Sequence, residues 1–499
     1  MSTTNEKFSL LLIIFVEVLL FVFAASAQEI EANIKIKSSP TIVSVAGKSL
    51  QENLAQSDKH WSFVGSAVAG AENVGARFSD LNLRNKDGGA IAFKKFIDGE
   101  YLAETVANAW SYQINLNPLP NVVAMAHVSW ISDEQGILML GDLLPQFRAK
   151  NNQPISAKIK FELPEEWKII SSEKRLGGNS FYVSSVEKAI FFVGKNWREK
   201  EISVDRTSLN FAVSGRWNFS DDEAVKMASD IFGEYRKLFG EIPTEKAQIS
   251  LVHFPKQTKF GRWEAETRGA NLIILSSDMP FKTLSLQGLH EQLRHELFHL
   301  WIPNNLALTG NYDWFYEGFT VYQSLKTGLQ TNQIRFEDFL ATLSEAYNID
   351  NLQTQKVSLI EASKNRWNGA NPQVYSRGMI TAFLCDVALL QASKGKRAIS
   401  DVFREIYNKH RVPNKLQDGN TAILNILENY KEIHPIAEKY IRGTEKIDWQ
   451  ADLESAGIKA VETNSFTKLA VKAKLNNRQK SLLDDLGYNN WRKIVQKTK

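Results

Sequence analysis

His295 and His299 stand four residues apart with Glu296 between them, and Glu317 follows eighteen residues after the second histidine. On a helix, side chains at i and i+4 share one face, so both imidazoles can reach one metal ion. Glu296 sits beside that face, within reach of a water on the ion, as a general base must be. Glu317, from a second helix, supplies a third ligand and leaves the fourth position open. Such a site generates a hydroxide-like nucleophile at neutral pH and suits hydrolysis of a peptide bond. The bland alternative is two ordinary helix histidines and a surface acid. The helical context around Glu317 argues against it.

Attack on a carbonyl creates a tetrahedral oxyanion, which needs a donor besides the metal. Tyr375 stands at the expected start of a later helix and is either that donor or a packing tyrosine. Glu264 and Glu266 lie just before the apolar strand Asn271 to Leu275. Their carboxylates either hold a substrate's free α-amine near a sheet edge or decorate a charged surface turn. His290 falls off the ligand face and reads as a surface histidine, and His253, at a strand end, is left open.

The elements that must position these residues are legible as patterns. Leu289, Leu293, Leu297 and Leu300 give 287–301 a helical period, which Pro303 and Asn304-Asn305 should end. Asn311 or Asp313 is placed to cap the next helix, with Gly328 expected to stop it. Ahead of these, Ser220-Asp221-Asp222-Glu223 is a capping box opening a helix that ends at Gly240. Between residues 28 and 213, alternating runs such as 34–37, 111–116, 157–163 and 208–213 read as half-buried strands separated by turn signals. From about Ile334 onward, helical periodicity dominates to the C-terminus.

With 499 residues, 43% of them hydrophobic and 23% charged, the chain is globular and large enough for two or three domains. It opens with Lys7, an apolar run from Phe8 to Phe23 interrupted by Glu17, and Ala25-Ser26-Ala27. This reads as a signal peptide over 1–27, hence export to a periplasm or the exterior, with no stable membrane span after cleavage. The single cysteine, Cys385, has no disulfide partner in the chain and sits in an apolar helical context, as a buried structural residue would. A net charge of +4 is too mild to suggest nucleic acid. The basic tail, from Lys468 to Lys499, reads as a solvated helical end or as a patch for an anionic surface.

His295-Glu296-x-x-His299 with Glu317-Gly318-Phe319-Thr320 resembles the gluzincin metallopeptidases, in particular the aminopeptidase N and glycyl aminopeptidase families. Further stretches are similar to segments of the glycyl aminopeptidases: Leu238-Phe239-Gly240-Glu241-Ile242-Pro243, Tyr375-Ser376-Arg377-Gly378 and Glu162-Leu163-Pro164-Glu165-Glu166-Trp167. The resemblance implies that His295, His299 and Glu317 bind Zn²⁺, that Glu296 activates water, and that Tyr375 steadies the oxyanion. It makes Glu264 the position most like an amine-binding glutamate. It implies an α+β multidomain protein: a β-rich N-terminal domain over 28–214, a thermolysin-like α/β zinc-peptidase domain over 215–400, and a helical region over 401–499. The expected activity is peptide hydrolysis, with an aminopeptidase favoured over an endopeptidase or a catalytically silent peptide-binding scaffold on the same fold.

Overall fold

The computed structural model describes residues 29–37, 41–50, 59–63, 71, 73–146, 154–463 and 466–490. The expected signal peptide and the last residues of the basic tail lie outside them. The described chain divides into two compact units. One is drawn from residues up to 63, 73–118 and 128–195, the other from 71, 119–127 and 196 onward.

The first unit is β-rich. Its eight-stranded sheet has Glu29–Ile36 at its centre, parallel to Ser156–Glu162 on one side and antiparallel to Ile42–Ser49 on the other. The period-two pattern buries Ile30, Ala32, Ile34 and Ile36 and turns Asn33 and Lys35 outward, as expected of a sheet with one wet face. A four-stranded sheet, which includes Gln135–Met139 and Ile190–Gly194, adds Leu138, Phe191 and Val193 to the same core.

The second unit holds a five-stranded sheet in the order Arg198–Val204, Thr207–Val213, Lys246–His253, Asn271–Ser276, Trp263–Arg268. The strand read at 208–213 therefore pairs within this unit, parallel to Lys246–His253. Ile249, Leu251, Leu272, Ile273, Ile274 and Leu275 are all buried, because both faces of these inner strands are covered. Trp263–Arg268 is antiparallel to Asn271–Ser276 and forms the edge. The helix Asp221–Phe239 begins with the capping box, Ser220 Oγ accepting from Glu223 N at 3.2 Å, and stops at Gly240 with φ 77°. The helix Lys282–Phe298 carries the histidines, and helices dominate from Thr320 onward.

Several sequence expectations need correction. The histidine helix ends at Phe298, with His299 as its C-cap, rather than running to Trp301. Gly328 does not stop the next helix, Thr320–Gln330, but lies inside it. A Cβ there would fall 1.6 Å from Nη1 of Arg294, so that glycine makes room for a buried guanidinium. The C-terminal region is mainly helical, as expected, and also holds one hairpin. Ile458–Thr463 pairs antiparallel with Phe466–Val471, and Ile458 and Leu469 point inward. No helix among the described residues is long and apolar enough to cross a membrane.

His290 is buried, not at the surface, at 5% exposure, and its Nδ1 has no hydrogen-bonding partner among the described residues. Burial, aided by the charge of Arg294, lowers its pKa to about 3. Between that value and its ordinary 6.5, the unfolded chain binds a proton that the folded chain refuses. This histidine therefore removes stability as pH falls through that window. Urea unfolding at pH 7 and pH 5 should show a smaller acid-induced loss of stability in His290→Gln than in the wild type. An identical loss in both would exclude the effect.

Candidate active site

Three elements of the second unit converge on one point. The histidine helix places His295 Nε2 3.0 Å from His299 Nε2. Oε2 of Glu317 lies 3.0 Å from His295 Nε2 and 3.7 Å from His299 Nε2. The ligand atoms of these three residues all fall within 4.8 Å of one another. A tetrahedral zinc with bonds of about 2.05 Å separates its ligand atoms by about 3.3 Å, so the three observed spacings bracket what such an ion requires. The Ile302 carbonyl lies 2.9 Å from His299 Nδ1 and accepts its proton, which orients the ring with Nε2 facing the cluster.

Glu317 sits in a single π-helical turn, Trp314–Phe319, that leads into Thr320–Gln330. Tyr375 sits in another, Gln373–Arg377, that leads into Gly378–Ser393. Such turns insert one extra residue and re-aim a side chain, and they recur at functional sites. The two turns touch backbone to backbone. A Cβ on Gly318 would lie 2.5 Å from the Val374 carbonyl oxygen, and one on Gly378 would lie 2.8 Å from the Gly318 Cα. That contact brings the Tyr375 hydroxyl to donate to Glu317 Oε2 at 2.8 Å. The expected cap, Asp313, makes no capping hydrogen bond. Its carboxylate turns instead to Arg366, 3.1 Å away.

Glu296 is buried, and the Thr267 hydroxyl on the edge strand donates to its Oε2 at 2.6 Å. Burial raises the Glu296 carboxyl against the opposing pull of His295 and His299. Burial also works on Glu317, but the charge of Arg366 and the hydrogen bonds to both histidines outweigh it and hold that carboxyl well below the usual range. For His299, burial opposes protonation, and the Glu317 carboxylate overrides it to give about 9. Tyr375 is pushed well above its ordinary value, by burial first and the Glu317 charge second. It stays protonated and is a hydrogen-bond donor.

Glu264 and Glu266 lie within the edge strand rather than on a turn. Trp263 packs on Gly288 of the histidine helix and Thr267 meets Glu296, so alternation puts both glutamates on the opposite face. Each already has a partner. Glu264 pairs with Arg262, while Glu266 lies 2.6 Å from His127 Nδ1 and 3.1 Å from Arg268 Nε. Burial opposes ionisation of Glu266, but His127 and Arg268 bring it down to about 2. The His127 ring meets Trp367 edge-on at 5.6 Å, beside Arg366. His253, left open by the sequence, stacks on Trp217 at 4.0 Å, and Cys385 is buried. Sequence reasoning missed Arg366, Thr267 and His127. Only Thr267 left a trace, in the alternation of Trp263-Glu264-Ala265-Glu266-Thr267.

No family model matches the sequence, and no curated protein does. Solved structures do. An aminopeptidase N family protein from Idiomarina loihiensis aligns over 90% of this chain and 82% of its own, at 16% identity and a TM-score of 0.73. An M1 zinc metallopeptidase variant from Deinococcus radiodurans, bound to the substrate Tyr-Ser-Ala, aligns over 85% of this chain and 95% of its own, at 11% identity and 0.53. A two-domain M1 zinc metallopeptidase variant bound to L-arginine covers the same shares at 10% identity and 0.52. The chain thus shares the fold of these metallopeptidase structures: an α+β multidomain architecture with a β-rich N-terminal region and a helical C-terminal one.

The glycine contact is open to test. Gly318→Ala should cost about 1–3 kcal/mol as an overpacking change and loosen the three-residue cluster by moving Glu317. Gly233→Ala, on the helix Asp221–Phe239 with nothing within 4 Å of its added Cβ, should be neutral or slightly stabilising. Thermal unfolding and metal analysis of the two variants make the comparison, and equal behaviour would contradict it.

Proposed function

We propose that the protein is an exported zinc-dependent peptidase, with His295, His299 and Glu317 as metal ligands. The convergence of their three ligand atoms beside a buried Glu296 is the observation that carries this reading. The fold shared with zinc metallopeptidases adds to it. Zinc, when bound, supplies a Lewis acid that polarises the scissile carbonyl and acidifies water.

The chain's own residues do the rest. Glu296, its carboxyl raised by burial and its Oε2 held by Thr267, takes the proton of the attacking water and delivers it to the leaving amine. Tyr375, kept protonated, donates to the oxyanion as it develops. The outer side of the edge strand Trp263–Arg268 has no strand partner among the described residues, so an extended peptide can add to it as a further strand.

The favoured activity is removal of N-terminal residues, with Glu264 and Glu266 as receptors for the substrate's α-amine. Both are carboxylates on one face of the edge strand, and fold relatives include an aminopeptidase N family protein and an enzyme bound to the tripeptide Tyr-Ser-Ala. One observation favours endopeptidase action instead: Arg262, His127 and Arg268 already pair with these carboxylates.

Two experiments decide. Chelation should abolish peptide hydrolysis and added zinc should restore it. Glu296→Gln should keep one zinc per chain yet lose hydrolysis by about 10²–10⁴-fold, as expected for loss of a general base. Full activity in Glu296→Gln would defeat the mechanism. For the direction of attack, cleavage of one peptide is compared before and after N-acetylation. Acetylation should block an aminopeptidase and leave an endopeptidase unaffected.

A further inference from the structure

Arg366 lies in the short turn Arg366–Asn368, nine residues before Tyr375, and is buried. Its three nitrogens are all engaged. Nη1 lies 3.0 Å from Glu317 Oε1 and 3.1 Å from Asp313 Oδ1. Nη2 donates to the Tyr375 hydroxyl oxygen at 2.7 Å, and Nε to Asn371 Oδ1 at 3.3 Å. The guanidinium also covers the Trp367 ring at 4.3 Å and the Tyr375 ring at 5.3 Å.

The direction of these hydrogen bonds is fixed, because a guanidinium can only donate. Where Nη2 meets the phenol, Tyr375 must accept, and its single proton has to be directed elsewhere. Here it goes to Glu317 Oε2, on the side of the histidine pair. The same guanidinium holds Oε1 of Glu317, which leaves Oε2 to face His295 and His299. One planar fork thus sets both the carboxylate oxygen that faces the histidines and the direction of the tyrosine's proton. A cation donating into the phenol oxygen also strengthens that phenol as a donor. Lysine, with one ammonium nitrogen, cannot reproduce the fork.

We propose that Arg366 is a positioning residue of the hydrolytic site, presenting a single Glu317 oxygen to the metal and committing Tyr375 to donate to the reacting oxygen. The inference rests on the zinc-peptidase reading. Arg366→Lys keeps the charge that balances Glu317 and Asp313 while leaving one nitrogen in place of three, and Arg366→Met removes all three.

The test combines zinc affinity, by chelator competition, with kcat and KM at saturating zinc and with binding of a phosphinic dipeptide analogue. In Arg366→Lys, zinc affinity should fall about tenfold, as for other residues that orient a metal ligand. At saturating zinc, kcat should fall about 10–100-fold with KM within about twofold, and affinity for the phosphinic analogue should fall in step with kcat. In a Tyr375→Phe background the same substitution should change kcat by less than about threefold, since it acts through the missing hydroxyl. Unchanged kcat in Arg366→Lys, or an equal loss in both backgrounds, would overturn the proposal. If the wild type cleaved no peptide, the peptidase reading would fall. The zinc-affinity arm would still decide on Arg366, because an unchanged affinity in Arg366→Lys overturns it. Should Arg366→Met fail to fold, the Lys variant carries the test.

Discussion

The site depends on a close approach of two backbones at Gly318 and Gly378. Side chains at either position would separate the two π-helical turns, and with them the Glu317 carboxylate and the Tyr375 phenol. The 2.8 Å hydrogen bond from Tyr375 to Glu317 follows from that contact, because neither residue is near the other in sequence. The histidine pair needs no such device, since helical geometry alone sets its spacing. The architecture therefore divides the work: one helix and its C-cap fix the two histidines, and a glycine-mediated contact brings in Glu317 together with Tyr375.

Gathering this much polar chemistry inside a protein has an electrostatic cost that neighbouring groups must offset. Glu296, His299, Glu317 and Arg366 are all buried. Arg366 and the histidines keep Glu317 ionised against burial, whereas burial raises the Glu296 carboxyl. Two glutamates a short distance apart are thus pushed in opposite directions, one suited to hold a cation and the other to exchange a proton. A similar logic governs the edge strand, where His127 and Arg268 hold Glu266 ionised. Any substrate amine reaching that strand meets carboxylates that already have cationic partners.

The legible parts of this protein were those with a local period. The i, i+4 histidines, the capping box at Ser220, the alternation of Ile34 to Lys37 and the stop at Gly240 are all set by backbone geometry within a few residues. Fold class followed from the same patterns together with the gluzincin resemblance. What stayed hidden depends on contacts between distant segments. Arg366 sits in an irregular turn whose sequence has no periodicity. Gly328 looked like a helix terminator because nothing local reveals that Arg294 needs its space. His290 looked exposed because its burial comes from neighbouring elements. Asp313 looked like a cap because the competing Arg366 lies over fifty residues away.

If the three convergent side chains form a zinc site, anomalous diffraction at the zinc edge from crystals of the metal-loaded protein should show it. One strong peak is expected within about 2.0–2.2 Å of His295 Nε2, His299 Nε2 and Glu317 Oε2, the ordinary range for nitrogen and carboxylate ligands. A zinc-soaked crystal with no peak there, and with His295 still hydrogen-bonded to Glu317, would contradict it.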